Sequence, residues 1–161
     1  MKKIIRVLIL SLCFMGFSAQ AKELQRRLGV GLKDNTSVSI PSVAVAYYPV
    51  SEMGLTGGLG IDTQKDNSKF QLHVGLRRIL FKEEHMNFFF GGQVGLITNE
   101  VNSDKNSGYE INALFGGEFF IPGLDSLGFT FEAGMGVASV KDVRFRTIAN
   151  DPFKAGIIFY F

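Results

Sequence analysis

The chain is poor in the residues that carry redox and metal chemistry. Cys13 is its only cysteine, and its two histidines, His73 and His85, stand apart in the sequence. Because Cys13 lies in an N-terminal segment that we expect to be removed, the mature protein would have no thiol. This excludes thiolate catalysis, iron–sulfur clusters and cysteine-ligated zinc. Two distant histidines do not form a set of metal ligands, so we predict no metal site and no cofactor.

The chain also lacks an excess of one charge. It has 17 basic and 15 acidic residues in all. Lys2, Lys3 and Arg6 belong to the segment that we expect to be removed, which leaves 14 basic residues against 15 acidic ones. A nearly neutral protein has no electrostatic footprint for nucleic acid. We therefore predict no nucleic-acid partner.

Residues 1–21 have the three parts of a secretory signal peptide. A basic start precedes an apolar run over residues 7–17, and Ala19 and Ala21 form an A-x-A cleavage site. The run is shorter than the ~20 residues of a membrane-spanning helix, which disfavours a membrane anchor. Acylation of Cys13 is a second alternative, which the bulky Leu12 before it disfavours. We predict cleavage after Ala21 and one domain over residues 22–161.

Long apolar runs are absent from residues 22–161, so we predict no transmembrane helix there. Hydrophobicity instead has a period of two, which is typical of strands with one apolar face. In residues 69–77, for example, every second residue is apolar and the others are polar or glycine. The pattern predicts eight strands, at about residues 24–33, 38–48, 54–62, 69–81, 87–98, 108–121, 127–140 and 152–161.

The connections between these strands alternate in kind. Residues 49–53, 82–86 and 122–126 are typical of tight turns, whereas polar loops are predicted at residues 34–37, 63–68, 99–107 and 141–151. In an antiparallel meander, one end would carry the turns and the other the loops. Short turns at one end and longer loops at the other are typical of outer-membrane barrels. An even strand count would place both chain ends at the turn end.

Aromatic residues gather beside the predicted turns. In a meander they would form a ring at one membrane interface, with a thinner set near the loops, as expected for a transmembrane barrel. The ring would contain Tyr47, Tyr48, Phe81, Phe88, Phe89, Phe90, Phe119, Phe120, Phe129, Phe131, Phe159, Tyr160 and Phe161.

The chain ends on an amphipathic strand. An exposed aromatic strand would invite aggregation in water, but it is suitable in a barrel whose aromatic face meets lipid. Gly156, Phe159 and Phe161 follow the pattern polar-x-Gly-x-x-aromatic-x-aromatic. This pattern resembles the C-terminal signal that the outer-membrane assembly machinery reads.

The polar face of the strands carries charges of both signs. We predict that Arg27, Arg77, Glu110, Glu118, Glu132 and Lys154 form a network inside the barrel, because an unpaired charge away from water is very costly. The alternative is a secreted lipocalin-like barrel, in which the apolar face would line a lipid-binding cavity. Arg78 interrupts the alternation, and either a bulge or a position at the membrane interface would explain it.

Together these features resemble the small eight-stranded outer-membrane β-barrel proteins, the class of OmpX, Ail and the transmembrane domain of OmpA. The resemblance covers the whole mature chain. It implies an all-β fold, an eight-stranded antiparallel up-and-down transmembrane β-barrel preceded by a cleavable signal peptide, located in the cell outer membrane and monomeric. Members variously stabilise the envelope, bind lipopolysaccharide or external surfaces, and in a few cases modify lipids.

For this chain we predict a structural or surface-interaction role without catalysis. In the last predicted loop, Lys141, Arg144 and Arg146 lie near Phe145. The cations would pair with lipopolysaccharide phosphates, and the ring would anchor in acyl chains. The expected partners are thus outer-membrane lipids and lipopolysaccharide, besides the assembly machinery. An interior of eight strands is only wide enough for side chains, which disfavours free diffusion of solutes.

A lipid A-modifying enzyme is the alternative function. His73 would be its general base, with Glu110 or Glu132 as the orienting carboxylate. The His-x-Ser arrangement of lipid A deacylases is absent, because Val74 and Gly75 follow His73.

Overall fold

The structure, a computed structural model, describes residues 23–34, 38–148 and 154–161. Its regular elements are all β-strands, and in this part of the chain no helix is long and apolar enough to span a bilayer. The predicted signal peptide lies outside the described residues. The strands are β1 (Leu28–Asp34), β2 (Pro41–Val50), β3 (Met53–Asp62), β4 (Lys69–Glu83), β5 (Met86–Val101), β6 (Asp104–Phe120), β7 (Leu127–Ser139), β8 (Val143–Ile148) and β9 (Lys154–Tyr160).

The strands form a closed antiparallel barrel with eight positions. From β1 to β7, each strand pairs with the next along the chain. The ring closes through β9, which pairs with both β7 and β1. We call the end with the β2–β3, β4–β5 and β6–β7 connections the turn end, and the opposite end the loop end. The predicted all-β, eight-stranded up-and-down barrel is confirmed.

The eighth position is divided between two strands. β9 pairs with the turn-end half of β7, whereas β8 pairs with the loop-end half, Gly134 to Ser139. The predicted loop over residues 141–151 is therefore wrong for β8. Valine and phenylalanine alternate with arginine in Val143–Ile148, which is a strand pattern. The two arginines made this segment resemble a polar loop.

The predicted loop over residues 99–107 is also wrong. β5 and β6 stay paired up to Val101 and Asp104, and a two-residue turn joins them. Asn102 and Ser103 have φ values of 52° and 67°, as two-residue hairpin turns require. The β2–β3 and β4–β5 turns have two residues each, and the β3–β4 loop has six, as predicted. The predicted difference in connection length fails at this tight loop-end turn and at the six residues 121–126 between β6 and β7 at the turn end.

The two faces of the wall have opposite chemistry. Charged and amide side chains of alternate residues are buried inside, and the apolar residues between them are exposed on the outside, as predicted. The inverted, lipocalin-like arrangement is therefore excluded. The outer wall includes Val30, Leu32, Val43, Val45, Leu55, Leu59, Leu72, Val74, Leu76, Val94, Leu96, Ile111, Phe115 and Ile157.

The interior has three layers. An apolar cluster fills the turn end, polar side chains fill the middle, and a second apolar cluster lies at the loop end. The turn-end cluster contains Leu24, Ala46, Tyr48, Ile79, Phe120, Ile158 and Tyr160. The loop-end cluster contains Val38, Ile40, Ile97 and Ala138, with Val140 packed against it. Leu24, which we predicted to begin the first strand, precedes β1 and is buried in the turn-end cluster.

The predicted aromatic ring is only partly correct. Tyr48, Phe89, Phe120 and Tyr160 are buried inside the barrel, because adjacent residues of a strand point to opposite faces. Their neighbours Tyr47, Phe88, Phe90, Phe119 and Phe159 are the ones exposed on the outer wall.

Arg78 does not interrupt the alternation. It is exposed on the outer face and pairs in register with Met53, the first residue of β3. The register shift in this region comes after it, between Ile79 and Phe81. Of the two explanations, the structure therefore favours a position near the turn end of the outer wall.

Candidate functional site

The polar middle layer is centred on Glu132 of β7. Lys33 of β1 and Arg77 of β4 both form ion pairs with its carboxylate, and all three residues are at most 5% exposed. The Arg77 guanidinium also lies over the Phe89 ring, 4.4 Å from its centroid, at a distance typical of cation–π contacts. One carboxylate thus joins three strands across the barrel.

Two further carboxylates lie on either side of this centre. Towards the turn end, Glu118 Oε1 accepts a hydrogen bond of 2.6 Å from the Tyr160 hydroxyl. Towards the loop end, Glu110 accepts a hydrogen bond from the Gln71 amide and lies 3.5 Å from Arg146 Nη2. Both glutamates are fully buried. Each of the three interior glutamates thus has a polar or cationic partner, as buried carboxylates require.

Four of the six predicted network residues take part in these contacts. Arg77, Glu110, Glu118 and Glu132 do so, and Lys154 is buried opposite Glu132 in the register of β7 and β9. Arg27 is placed differently, because its guanidinium donates to Asp125 O and Tyr160 O at the turn end, each at 3.1 Å.

Sequence reasoning missed Lys33 as a member of the network. Lys33 points inward on β1, as do Gly29 and Gly31. The alternation of the strand therefore predicts an interior position for Lys33. Its position at the predicted end of the strand, beside a polar loop, concealed it.

The two histidines lie in different environments, His73 inside the barrel and His85 in a turn. His73 is buried in the interior, and its ring packs so close to Gly58 that a Cβ there would lie 2.4 Å from the ring. No hydrogen bond joins His73 to Glu110, Glu132 or any other described residue. His85 lies in the β4–β5 turn, with Nε2 3.6 Å from Glu84 Oε1. Across residues 23–34, 38–148 and 154–161, no three His, Cys, Asp or Glu side chains form a metal-ligand group.

The loop end of the interior opens into a cavity of about 310 Å³. Its apolar side consists of the loop-end cluster residues Val38, Ile97, Ala138 and Val140. Its polar side contains Asn99 of β5 and, from β8 and the connection before it, Lys141, Asp142, Arg144 and Arg146. The cavity thus joins an apolar surface to a mainly cationic one.

β8 divides the residues that we predicted to contact lipopolysaccharide. Phe145 pairs with the outward-facing Val137 and is 68% exposed, whereas Arg144 and Arg146 pair with the buried Ala138 and Gly136. The two arginines therefore face the cavity, and the phenylalanine faces outward.

Lys141 lies exposed at the rim, and its Nζ is 2.7 Å from Asp104 Oδ2 of the β5–β6 hairpin. This hydrogen bond lowers the pKa of Asp104 and raises the pKa of Lys141.

The residues of the predicted assembly signal lie on β9 and directly after it. Phe159 and Phe161 are exposed on the outer face, with ring centroids 5.1 Å apart. Gly156 points inward, where a Cβ would lie 2.8 Å from Thr130 Oγ1 and 3.0 Å from Leu32 O. Glycine is thus required at Gly156 because neighbouring strands approach closely. Whether the assembly machinery reads these residues stays a prediction.

Comparison with known proteins identifies the fold. No family model matches the chain, and no curated protein is a significant match. Among solved structures, the N-terminal β-barrel domain of Pseudomonas aeruginosa OprF superposes with a TM-score of 0.57 at 11% identity. The match covers 85% of this chain and 98% of that domain. With its closed ring of eight strand positions, the chain has the fold of the small eight-stranded outer-membrane β-barrels.

Proposed function

We propose that the protein is an integral, monomeric β-barrel of the Gram-negative outer membrane with a structural or surface-interaction role. The main support for this proposal is the apolar surface of the outer wall. Its outward side chains are apolar on strand after strand, and residues such as Val74, Leu96 and Phe115 are 58–59% exposed. Soluble monomers rarely expose contiguous apolar patches beyond about 600 Å², whereas lipid-facing strands require this surface.

The two ends of the chain support this location. Residues 1–21 have the composition of a secretory signal peptide, and export would bring the barrel to the periplasm. Gly156, Phe159 and Phe161 would then present the C-terminal pattern that resembles the assembly signal. The mature barrel would contain no cysteine there, because Cys13 would leave with the signal.

Phe145 and Lys141 are the residues that we propose for lipopolysaccharide contact. Phe145 projects from the outer face of β8 near the loop end, and Lys141 is exposed at the rim. An outward aromatic beside a rim cation suits an acyl chain beside a phosphate. Arg144 and Arg146 face the cavity and are omitted from this proposed contact.

A role without catalysis is supported by the isolation of His73. A histidine base is commonly oriented by a third group, and His73 has no hydrogen bond to a carboxylate among the described residues. Mass spectrometry of lipid A from cells with and without the gene tests this directly. A change in acylation that follows the gene would identify an enzyme instead.

The layered interior also argues against a diffusion channel. Tyr48, Phe120 and Tyr160 are at most 1% exposed at the turn end. The ion pairs of Glu132 lie between this cluster and the loop end, so both an apolar and a charged layer would have to open for a solute to cross.

Gel mobility of the outer-membrane fraction, with and without boiling, tests location and fold together. A closed barrel has no free strand edge and resists detergent, so we expect a band that shifts only after heating. Recovery of the protein in the soluble periplasmic fraction, without a shift, would refute the proposal.

Binding of lipopolysaccharide to the purified barrel tests the rim contact. We expect Phe145→Ser to weaken binding about tenfold, since an aromatic side chain loses its apolar contact. Phe81→Ser is the matched control, because Phe81 is 67% exposed on the outer wall but lies at the turn end. Equal weakening by both variants would contradict a specific rim contact.

A further inference from the structure

We propose that the loop-end cavity is a binding site for a small amphiphilic anion, that is, a phosphate or carboxylate on a short apolar body. The site lies inside the wall, and the rim residue Lys141 is the one residue that it shares with the proposed lipopolysaccharide contact. Its volume of about 310 Å³ is at the lower end of the range for small-molecule sites. A cavity of this size suits one short molecule.

The cationic side of the cavity selects the charge of the ligand. Arg144 and Arg146 are two residues apart on β8 and therefore face the same side. Arg146 is 3.5 Å from Glu110, whereas Arg144 forms no ion pair with another described residue. Two guanidinium groups that face one cavity repel each other. An anion between them would relieve this repulsion and accept charge-assisted hydrogen bonds.

The opposite side selects an apolar body. Val38, Ile97 and Ala138 are 2–8% exposed and form the loop-end cluster, so this surface is already packed and needs no rearrangement. Inorganic phosphate would leave it uncovered. An aryl or short alkyl group attached to the anion would cover the part of this surface that still faces the cavity, together with the partly buried Val140, and gain the free energy of apolar burial.

Asn99 adds a third feature to the site. Its side-chain oxygen is buried and has no hydrogen-bond partner among the described residues, although Asn99 lines the cavity. A buried acceptor without a donor is costly, so a turn of this side chain towards the cavity, where a hydroxyl or protonated acid group of the ligand could donate to it, would be favourable. Anion, apolar body and donor together define the ligand class.

Phenyl phosphate is the probe that we would use, with the purified full barrel in maltoside micelles, which contain no phosphate. Methyl NMR of Ile97 reports on the apolar side. We expect a saturable shift of this methyl with phenyl phosphate, and binding at least about tenfold weaker for inorganic phosphate or benzyl alcohol. Absence of a saturable shift, or equally tight binding of inorganic phosphate, would overturn the proposal.

Two variants test the cationic and apolar sides separately. Arg144→Gln should weaken phenyl phosphate binding at least about tenfold, and Lys65→Gln, an exposed cation outside the cavity, should leave it unchanged. Ala138→Leu should fill the apolar side and abolish binding, whereas Ala113→Leu adds the same bulk to the outer wall. The heat-dependent gel shift shows that each variant is folded. Unchanged binding by folded Arg144→Gln would overturn the assignment.

Addition of lipopolysaccharide distinguishes two sources of the anion. Displacement of phenyl phosphate would indicate that the cavity receives part of a lipid headgroup, and its retention would indicate a free solute. Both results support the cavity as the anion site, and neither depends on Phe145. Failure of the rim contact and failure of this site are therefore separable.

Discussion

The same strands form the inner and outer faces of the wall, because neighbouring residues point to opposite faces. The two faces differ in what determines which side chains they accept. In the proposed membrane location, Val74 and Leu96 on the outer face would meet a fluid environment, where their apolar character would matter more than their shape. On the inner face, Glu132 meets two particular cations. The outer face is thus specified by composition and the inner face by individual partners. Apolar substitutions should be tolerated outside, whereas inside even a small change should be costly.

The largest effect is expected when the central carboxylate is removed. Glu132→Ala leaves Lys33 and Arg77 buried without their counter-ion, which costs about 3–5 kcal/mol. Urea unfolding, followed by the loss of the heat-shifted gel band, measures this change. Glu84→Ala is the control, because Glu84 is exposed in a turn. Similar losses for both variants would contradict the special position of Glu132.

A triple variant determines whether the ions stabilise the barrel or only each other. Lys33→Met, Arg77→Met and Glu132→Leu replace the three charges by apolar side chains. Because replacing a buried ion cluster by apolar groups is often neutral or stabilising by about 1–4 kcal/mol, the triple variant should be more stable than Glu132→Ala alone. A triple variant as unstable as the single one would indicate that the charges serve a further packing role.

A charge on the outer face should produce the next largest effect. Val74 is 58% exposed in the middle of β4, so Val74→Arg places a cation in the apolar part of the bilayer at a cost of about 2–4 kcal/mol. Val74→Leu should change the free energy of unfolding by less than about 0.5 kcal/mol. Unfolding from lipid vesicles measures both. An equally tolerated arginine would mean that this face does not contact lipid.

Alanine substitutions at one inward and one outward glycine compare how much an added methyl group destabilises each face. A Cβ at inward Gly31 would lie 1.9 Å from Ile157 O, whereas at outward Gly92 the nearest atom is 3.7 Å away. Gly31→Ala should therefore destabilise by about 1–3 kcal/mol through overpacking, and Gly92→Ala by no more than about 0.5 kcal/mol. Urea unfolding of the two variants checks the difference, and equal stability would contradict the close approach of β1 and β9.

The division between the faces could be predicted from the sequence, because a period of two leaves only two phases and polarity decides between them. Arg77, Glu110, Glu118 and Glu132 were assigned to the interior in this way. Pairing between them could not be predicted, because it depends on the stagger of the strands around the ring. Lys33, rather than Lys154, is the lysine that reaches Glu132.

Polar segments near the loop end were predicted less well. The segment 99–107 was expected to be a loop because its residues are polar, and a mostly polar hairpin has no apolar face to reveal its period of two. β8 does alternate, and its alternation was overlooked. That error displaced the candidate site, because Arg144 and Arg146 face the cavity only when β8 pairs with β7.

The smallest effect is expected at the ion pair between Asp104 and Lys141. This ion pair is exposed, whereas the ion pairs of Glu132 are buried. The hydrogen bond from Lys141 lowers the pKa of Asp104 in the folded protein. Its stabilisation is therefore present above the unfolded pKa and is lost as the pH falls through the lower, folded one. In Lys141→Gln, an NMR titration should show the pKa of Asp104 rising towards its ordinary value, more clearly at low salt. Lys82→Gln, at the turn end, should leave the pKa of Asp104 unchanged.

Since exposed ion pairs contribute little to stability, neither Lys141→Gln nor Lys82→Gln should measurably change urea unfolding. A Lys141→Gln barrel as unstable as Glu132→Ala would mean that burial is not what distinguishes the two ion pairs.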